Sequence, residues 1–548
     1  MNFKFVSVNT CLLVVYLSSV SAGELEFKPS ISTSIIQSQH DSQREGDGDG
    51  DGDASILSIK PSLKTNYTSD LLVGNIAVTH NQIESNISDE SQANNFTKYQ
   101  YSADISLIDK ILSLKIAGGQ FYRSILSSQY FVNDQYLNSD GLAKTRTNSA
   151  SAYFTLPSRK YFRFNVNGGA STMKRGRSSA SELDIDSNLN SEIDNDNQFF
   201  DARLYQGSEF TRLSWNFSSR YQNTDRATRN NFTSKVFSGE VGFGLFSNIR
   251  AIITSSTEEN ELSNNDELSA GDLSLDSYGV GFSWFESENR KITLTYNQSK
   301  RNDQEEENFV GLNLNWSFSR RTSVEANYGK RFYGSSGTFS LSHNTRRFRT
   351  RINYGESLTT SSRLITRTED LGAFVCPIGE FSFNECIVPP SPSYTLQPGE
   401  QFSNLFVPIA ELNDQVILRK SLNASVGLIG RKINSTLSLA HNDLEYIEAD
   451  RVQKNNIVTL SNKYTINRKT SLNLTINYAL TESETTGIET KTISSNLGFS
   501  RKLGRKMSTN LTFKYIDRNS INAEPDQLDF SNSELTDRRL TLEFLYNF

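Results

Sequence analysis

The carboxylates are the side chains whose spacing most directly suggests chemistry. Residues Gly46 to Asp53 read GDGDGDGD, which sets Asp47, Asp49, Asp51 and Asp53 at every second position. Oxygen-rich runs of this kind can ligate calcium, but the glutamate that closes an EF-hand loop is missing here. The expectation is a solvated acidic loop, with weak calcium binding as the sharper alternative and no other metal. Acidic groups recur at Glu258, Glu259 and Glu261, and again at Asp303, Glu305, Glu306 and Glu307. Such clusters suit a hydrated rim facing polyanionic lipopolysaccharide, or a screen against anionic solutes. The other reactive groups are few. There are four His and three Cys, and the chain contains no GxSxG, HExxH, P-loop or dinucleotide fingerprint. No enzyme activity and no cofactor are expected.

Residues 1–22 carry Lys4, an apolar run from Cys11 to Leu17 and the small-residue site Val20-Ser21-Ala22. This is the pattern of a secretory signal, with cleavage expected near Ala22. In an exported chain Cys376 and Cys386 are then expected to form a disulfide. The remaining chain is polar, with 36% hydrophobic residues, 22% charged residues and a mean hydropathy of -0.50. It nevertheless holds 34 Phe and 22 Tyr. Many strands with one apolar and one polar face would produce this combination. The net charge of -6 gives no sign of a nucleic-acid partner. The basic residues are scattered through short turns and form no evident basic face.

The elements that must carry these groups are strands. In Phe309 to Phe318 the apolar Val310, Leu312, Leu314, Trp316 and Phe318 alternate with Gly311, Asn313, Asn315 and Ser317. In Ser471 to Leu480 the apolar Leu472, Leu474, Ile476, Tyr478 and Leu480 alternate with Asn473, Thr475, Asn477 and Ala479. A period of two over such a length is a strand with one apolar face. The strands are joined by short turns such as Ser319-Arg-Arg-Thr322 and Asn467-Arg-Lys469. These alternate with longer polar loops at Gln39 to Asp53, Ser171 to Asp196, Glu258 to Asp272 and Asn519 to Asn532.

The expected fold is therefore all-β over residues 23–548: a transmembrane antiparallel up-and-down barrel of about 24 strands (about 22 to 26), with short periplasmic turns and longer extracellular loops. Its lumen should be lined by Arg163, Arg212, Asn313, Asn315, Arg349, Arg351, Asn473 and Asn477. The longest loop, 356–410, holds both Cys376 and Cys386 and most of the prolines. It suits either a segment folded into the lumen or a cap over the outer mouth.

The last strand ends with Leu542, Phe544, Tyr546 and Phe548 on one face, resembling the assembly signal of outer-membrane barrels. The start carries a further likeness. Lys28-Pro29-Ser30-Ile31 opens the first strand, and Ser58-Ile59-Lys60-Pro61-Ser62-Leu63 opens the second after the acidic run. With hairpins continuing to a C-terminal Phe, the chain resembles the PEP-CTERM/exosortase system-associated outer-membrane β-barrel family. An Asp-Gly run here replaces that family's Asp-Asn loop. The resemblance implies a non-enzymatic conduit or assembly component for extracellular polysaccharide in the outer membrane of a Gram-negative bacterium. The partners would then be outer-membrane lipid and lipopolysaccharide, the barrel assembly machinery, polysaccharide and periplasmic export proteins. The alternatives are a general or solute-uptake porin and a scaffold barrel that holds a periplasmic or surface partner.

Two outcomes are expected from these residues. Replacing Phe548 with Asp should lower the amount of folded, heat-modifiable protein in the outer membrane; wild-type amounts would remove the C-terminal signal. Mass spectrometry of protein taken from cell envelopes should find Cys376 and Cys386 joined, and two free thiols would refute the pairing.

Overall fold

The computed structural model describes residues 23–43, 52–87, 90–124, 136, 142–156, 160–176, 193–227, 231–262, 273–287, 289–301, 306–360, 374–377, 400–403, 416–447, 451–485, 487–521 and 534–548. In chain order the strands are β1 (Glu24–Gln43), β2 (Gly52–Thr68), β3 (Leu72–Ile87), β4 (Glu90–Ile108), β5 (Leu112–Ser124), β6 (Leu142–Leu156), β7 (Phe162–Arg175), β8 (Ile193–Gln206), β9 (Leu213–Arg226), β10 (Phe232–Gly244), β11 (Ile249–Leu262), β12 (Leu273–Ser287) and β13 (Arg290–Lys300). They continue with β14 (Glu307–Ser319), β15 (Thr322–Arg331), β16 (Gly334–Asn344), β17 (Phe348–Thr360), β18 (Phe374–Pro377), β19 (Glu400–Ser403), β20 (Val416–Ile429), β21 (Ile433–Tyr446), β22 (Arg451–Asn467), β23 (Thr470–Ser483), β24 (Glu489–Lys502), β25 (Met507–Ile521) and β26 (Glu534–Asn547).

All but β18 and β19 form one 24-stranded antiparallel sheet. Each strand pairs with its neighbours in sequence, and β17 pairs with β20 across the longest connection. The sheet closes where β1 meets β26, from Ser30 opposite Asn547 to Gln43 opposite Glu534. Closure leaves no edge strand, so every spanning backbone group finds a partner without water.

Register carries the side-chain alternation around the whole ring. Leu294 lies opposite Leu312, Ile292 opposite Leu314 and Thr293 opposite Asn313. One face is apolar and exposed, with Val280 at 61% and Phe282 at 62%. Rings flank this belt. Trp284 stacks on Trp316 at 5.3 Å on the turn side, and Phe210 meets Trp215 at 4.5 Å. Tyr278, Tyr296 and Tyr328 stand on the loop side. An outward apolar band between aromatic girdles is the surface that faces lipid.

The strands run further than sequence periodicity suggests. Four long connections shrink to 44–51, 176–192, 263–272 and 522–533, while the longest keeps its length but shifts to 361–415. Glu258, Glu259 and Glu261 consequently belong to β11 rather than to a loop, and Glu356 belongs to β17. Pairing persists past the apolar belt because each neighbour still supplies hydrogen-bond partners. Asp53 likewise lies in β2 and is exposed, whereas Asp47, Asp49 and Asp51 lie outside the described residues. Cys376 sits in β18, within the hairpin β18–β19, and Cys386 lies outside the described residues.

The facing of the strands predicts an asymmetry. Val280→Arg, in the outward belt, should destabilise the barrel by about 2–4 kcal/mol in lipid vesicles, while Asn313→Arg should cost far less. Denaturant unfolding of vesicle-inserted protein measures both, and the reverse order would contradict the facing.

Candidate functional site

The inward face is the only continuous polar surface that the described strands enclose. Much of it consists of hydroxyl and amide groups bonded across strands. Ser218 and Ser238 meet at 2.6 Å, Ser323 and Ser342 at 2.8 Å, Ser340 donates to Asn353 at 3.0 Å and Asn477 donates to Ser494 at 3.2 Å. Thr254 of β11 reaches Asn297 of β13 at 3.0 Å. That bond passes over β12, where a Cβ on Gly279 would fall 2.0 Å from the Asn297 Oδ1. Glycine at 279 therefore leaves the room the asparagine occupies.

Most of the expected lumen residues take the expected face. Asn313 and Asn315 face inward from β14, opposite Asn327 and Glu325. Asn473 and Asn477 face inward from β23, and Arg349 and Arg351 from β17. Arg163 is inward at the start of β7, where its Nε donates to the Gln206 carbonyl at 3.4 Å. Arg212 differs. It lies in the bend before β9, exposed at the turn-side rim, because the turn from β8 extends through that position.

Charge on this face is uneven. Between the rims, the inward basic residues are Lys60, Lys64, Lys98, Lys115, Arg163, Arg175, Arg203, Arg220, Arg226, Arg250, Lys291, Arg331, Arg349, Arg351, Arg419, Arg451, Lys463, Lys514, Arg518 and Arg539. The inward acidic residues are Asp104, Asp201, Glu240, Glu258, Glu325, Asp537 and Glu543. Some are matched across the wall: Arg220 with Asp201 at 2.7 Å and Lys291 with Glu240 at 2.8 Å. The wall nevertheless stays basic in a chain whose net charge is -6.

The loop-side half of the lumen has a buried wall. Inward residues there are buried, including Arg518 at 2%, Arg539 at 3% and Asp537 at 0% exposure. Tyr136, in the connection between β5 and β6, sits inside the barrel. It packs against the cluster of Ile36, Ile56, Ile83 and Phe96, with its ring 5.5 Å from both Lys60 Nζ and Arg539 Cζ. This connection drew no notice in the sequence, since a lone tyrosine in a polar segment has no period to reveal its packing.

Two ion pairs, each with a buried carboxylate, shape this half. Arg331 of β15 donates to Glu258 of β11 at 3.0 Å. Four strand spacings of about 4.8 Å separate β11 from β15, farther than the two side chains reach along a flat wall. The contact therefore requires a tightly curved wall between β11 and β15, and Glu258 is a buried ion-pair partner and not part of the acidic rim. Glu259 and Glu261 face outward, and both bind Lys235, at 3.3 and 2.9 Å. The second pair lies at the seam of the barrel. Asp537 of β26 accepts from Ser38 of β1 at 2.7 Å and from Arg539 at 3.0 Å.

The basic residues of the short turns also form a face, contrary to their scattered look in sequence. Arg320, Arg321, Arg346, Arg347, Arg431, Lys432, Arg468, Lys469, Arg505 and Lys506 all occupy turns at one rim. An up-and-down meander places alternate connections at the same end, which gathers them. Among the described residues no group of three or more His, Cys, Asp or Glu side chains could hold a metal ion.

No family model matches the chain, and no curated protein matches it. Solved structures with some likeness include the FrpB iron transporter from Neisseria meningitidis (F5-1 variant). It is 7% identical at a TM-score of 0.43, over 96% of this chain and 83% of that chain. The siderophore receptor PirA from Acinetobacter baumannii is 9% identical at 0.39, over 95% and 80%. OmpTdeltaL8, a loop-deletion mutant of an outer membrane protein of Vibrio cholerae, is 9% identical at 0.28, over 96% and 100%. Nothing about substrate follows from likenesses this slight. The closed sheet, the lipid-facing belt and the polar lumen define the class on physical grounds: a transmembrane β-barrel of the outer-membrane type.

Asp537→Ala should weaken the seam by about 1–3 kcal/mol, because it removes the buried carboxylate that accepts from both Ser38 and Arg539. The unfolding temperature read by heat-modifiable migration should fall, and the double variant with Arg539→Met should recover part of the loss. An unchanged temperature would mean that the pair does not hold the seam.

Proposed function

We propose that this barrel is a non-enzymatic conduit or assembly component for extracellular polysaccharide, working with periplasmic export proteins. The observation that carries the reading is the cross-bonded hydroxyl and amide lining of the lumen. A cavity of about 390 Å³ lies on this wall, bordered by Asn216, Ser238, Thr254, Thr295, Asn297, Asn313 and Thr338. Sugar hydroxyls can exchange hydrogen bonds with such groups one at a time, so a chain passes without being held at one tight site. The resemblance of the opening strands to barrels linked to exopolysaccharide systems supports the same reading.

The experiment is a gene deletion in the native host. Surface and secreted polysaccharide should drop, polymer should collect in the periplasm, and the intact gene should restore export. Unchanged polysaccharide together with impaired uptake of small solutes would replace the conduit with a porin. Unchanged polysaccharide with loss of a surface partner would favour a scaffold.

A further inference from the structure

We propose that the polymer is acidic, and that it enters at a basic pocket on the turn side of the lumen between β22 and β26. This deepens the conduit reading and rests on it. The pocket has a volume of about 440 Å³. Its lining includes Lys463, Arg468, Lys469, Arg501 and Lys502, with Glu543 as the one acidic group. Among the described residues none of these five cations forms an ion pair, whereas Lys235, Lys330 and Lys454 at the loop side each hold a carboxylate.

Three features point to a carboxylate- or phosphate-bearing glycan. The pocket joins cations to Ser500, Asn510, Thr470 and Ser471, so each bound unit would meet both a charge and hydroxyl partners. Lys463, Ser500, Lys502, Asn510 and Glu543 belong to the inward face by register, so the pocket borders the lumen at the rim, where Thr470 and Arg501 complete it from the outward register. Beyond it the wall remains predominantly basic up to the buried loop-side band. Rings of Lys and Arg select anions in pores, and a like-signed path lets a polyanion leave the first site for the next. The acidic loop side then gives the barrel a charge gradient along its axis, with the cations at the entry end.

The test uses the full-length barrel in detergent micelles and two probes, a uronic-acid hexamer and a neutral glucose hexamer. Calorimetry should show that the uronate binds, more weakly as salt rises, and that the neutral probe does not. The double variant Lys463→Glu, Lys469→Glu should weaken uronate binding by about tenfold or more, the scale of one or two charge-assisted hydrogen bonds. Lys463→Arg should retain it. Heat-modifiable migration verifies that each variant is folded. Equal binding of both probes, no uronate binding, or an unaffected double variant would overturn the proposal. Loss of uronate binding in nanodiscs containing phosphatidylglycerol, with binding kept in zwitterionic ones, would assign the cations to lipid headgroups and overturn it too. The gene deletion separates the two readings. Uronate binding with unchanged export would sink the conduit alone, and lost export without uronate binding would sink only the acidic substrate.

Discussion

The structure depends on one constraint: a backbone inside lipid must find all its hydrogen-bond partners in the protein. A sheet meets it only by closing, and here closure rests on the pairing of β1 with β26 from Ser30 opposite Asn547 onward. The seam is reinforced where its ladder leaves the apolar belt, by Ser38, Asp537 and Arg539. Once the ring is closed, a strict two-faced division follows. Every second side chain must suit hydrocarbon, and every other one must suit the lumen.

That division explains how a chain with a mean hydropathy of -0.50 crosses a membrane. The polar half of each strand never meets lipid. It is also free to carry charge, and it carries mostly cations, while the carboxylates concentrate in and near the loops. The acidic rim and the basic wall are thus two ends of one distribution and not competing descriptions of the protein. A meander adds to it by collecting alternate turns at one end, so short basic dipeptides far apart in sequence become one rim.

The lumen is not uniform. Its turn-side half is lined by partly exposed hydroxyls, amides and cations. Its loop-side half is buried, crossed by the Arg331–Glu258 pair and entered by Tyr136. A barrel of this strand number would otherwise enclose a wide aqueous channel. The Arg331–Glu258 pair, reaching across from β15 to β11, and the Tyr136 ring against Lys60 and Arg539 narrow it from two sides.

The sequence by itself determined the barrel, the facing of its strands and the sidedness of its connections. Alternation at Val310 to Phe318 or Leu472 to Leu480 is local, so it survives without knowledge of any partner strand. The inward positions of Asn313, Asn315, Arg349, Arg351, Asn473 and Asn477 follow from that period alone. Only the tertiary structure decided what those faces meet. Glu258 read as rim, yet it pairs with a residue four strands away because both side chains point into a closed, curved wall. Arg212 read as lumen, yet the preceding turn carries it to the rim. Tyr136 showed no pattern, and the basic turns showed no face, until closure brought distant segments together. Periodicity reports the direction of a side chain from its own strand, whereas curvature, burial and charge clustering depend on which strands stand opposite, and that is settled when the ring shuts.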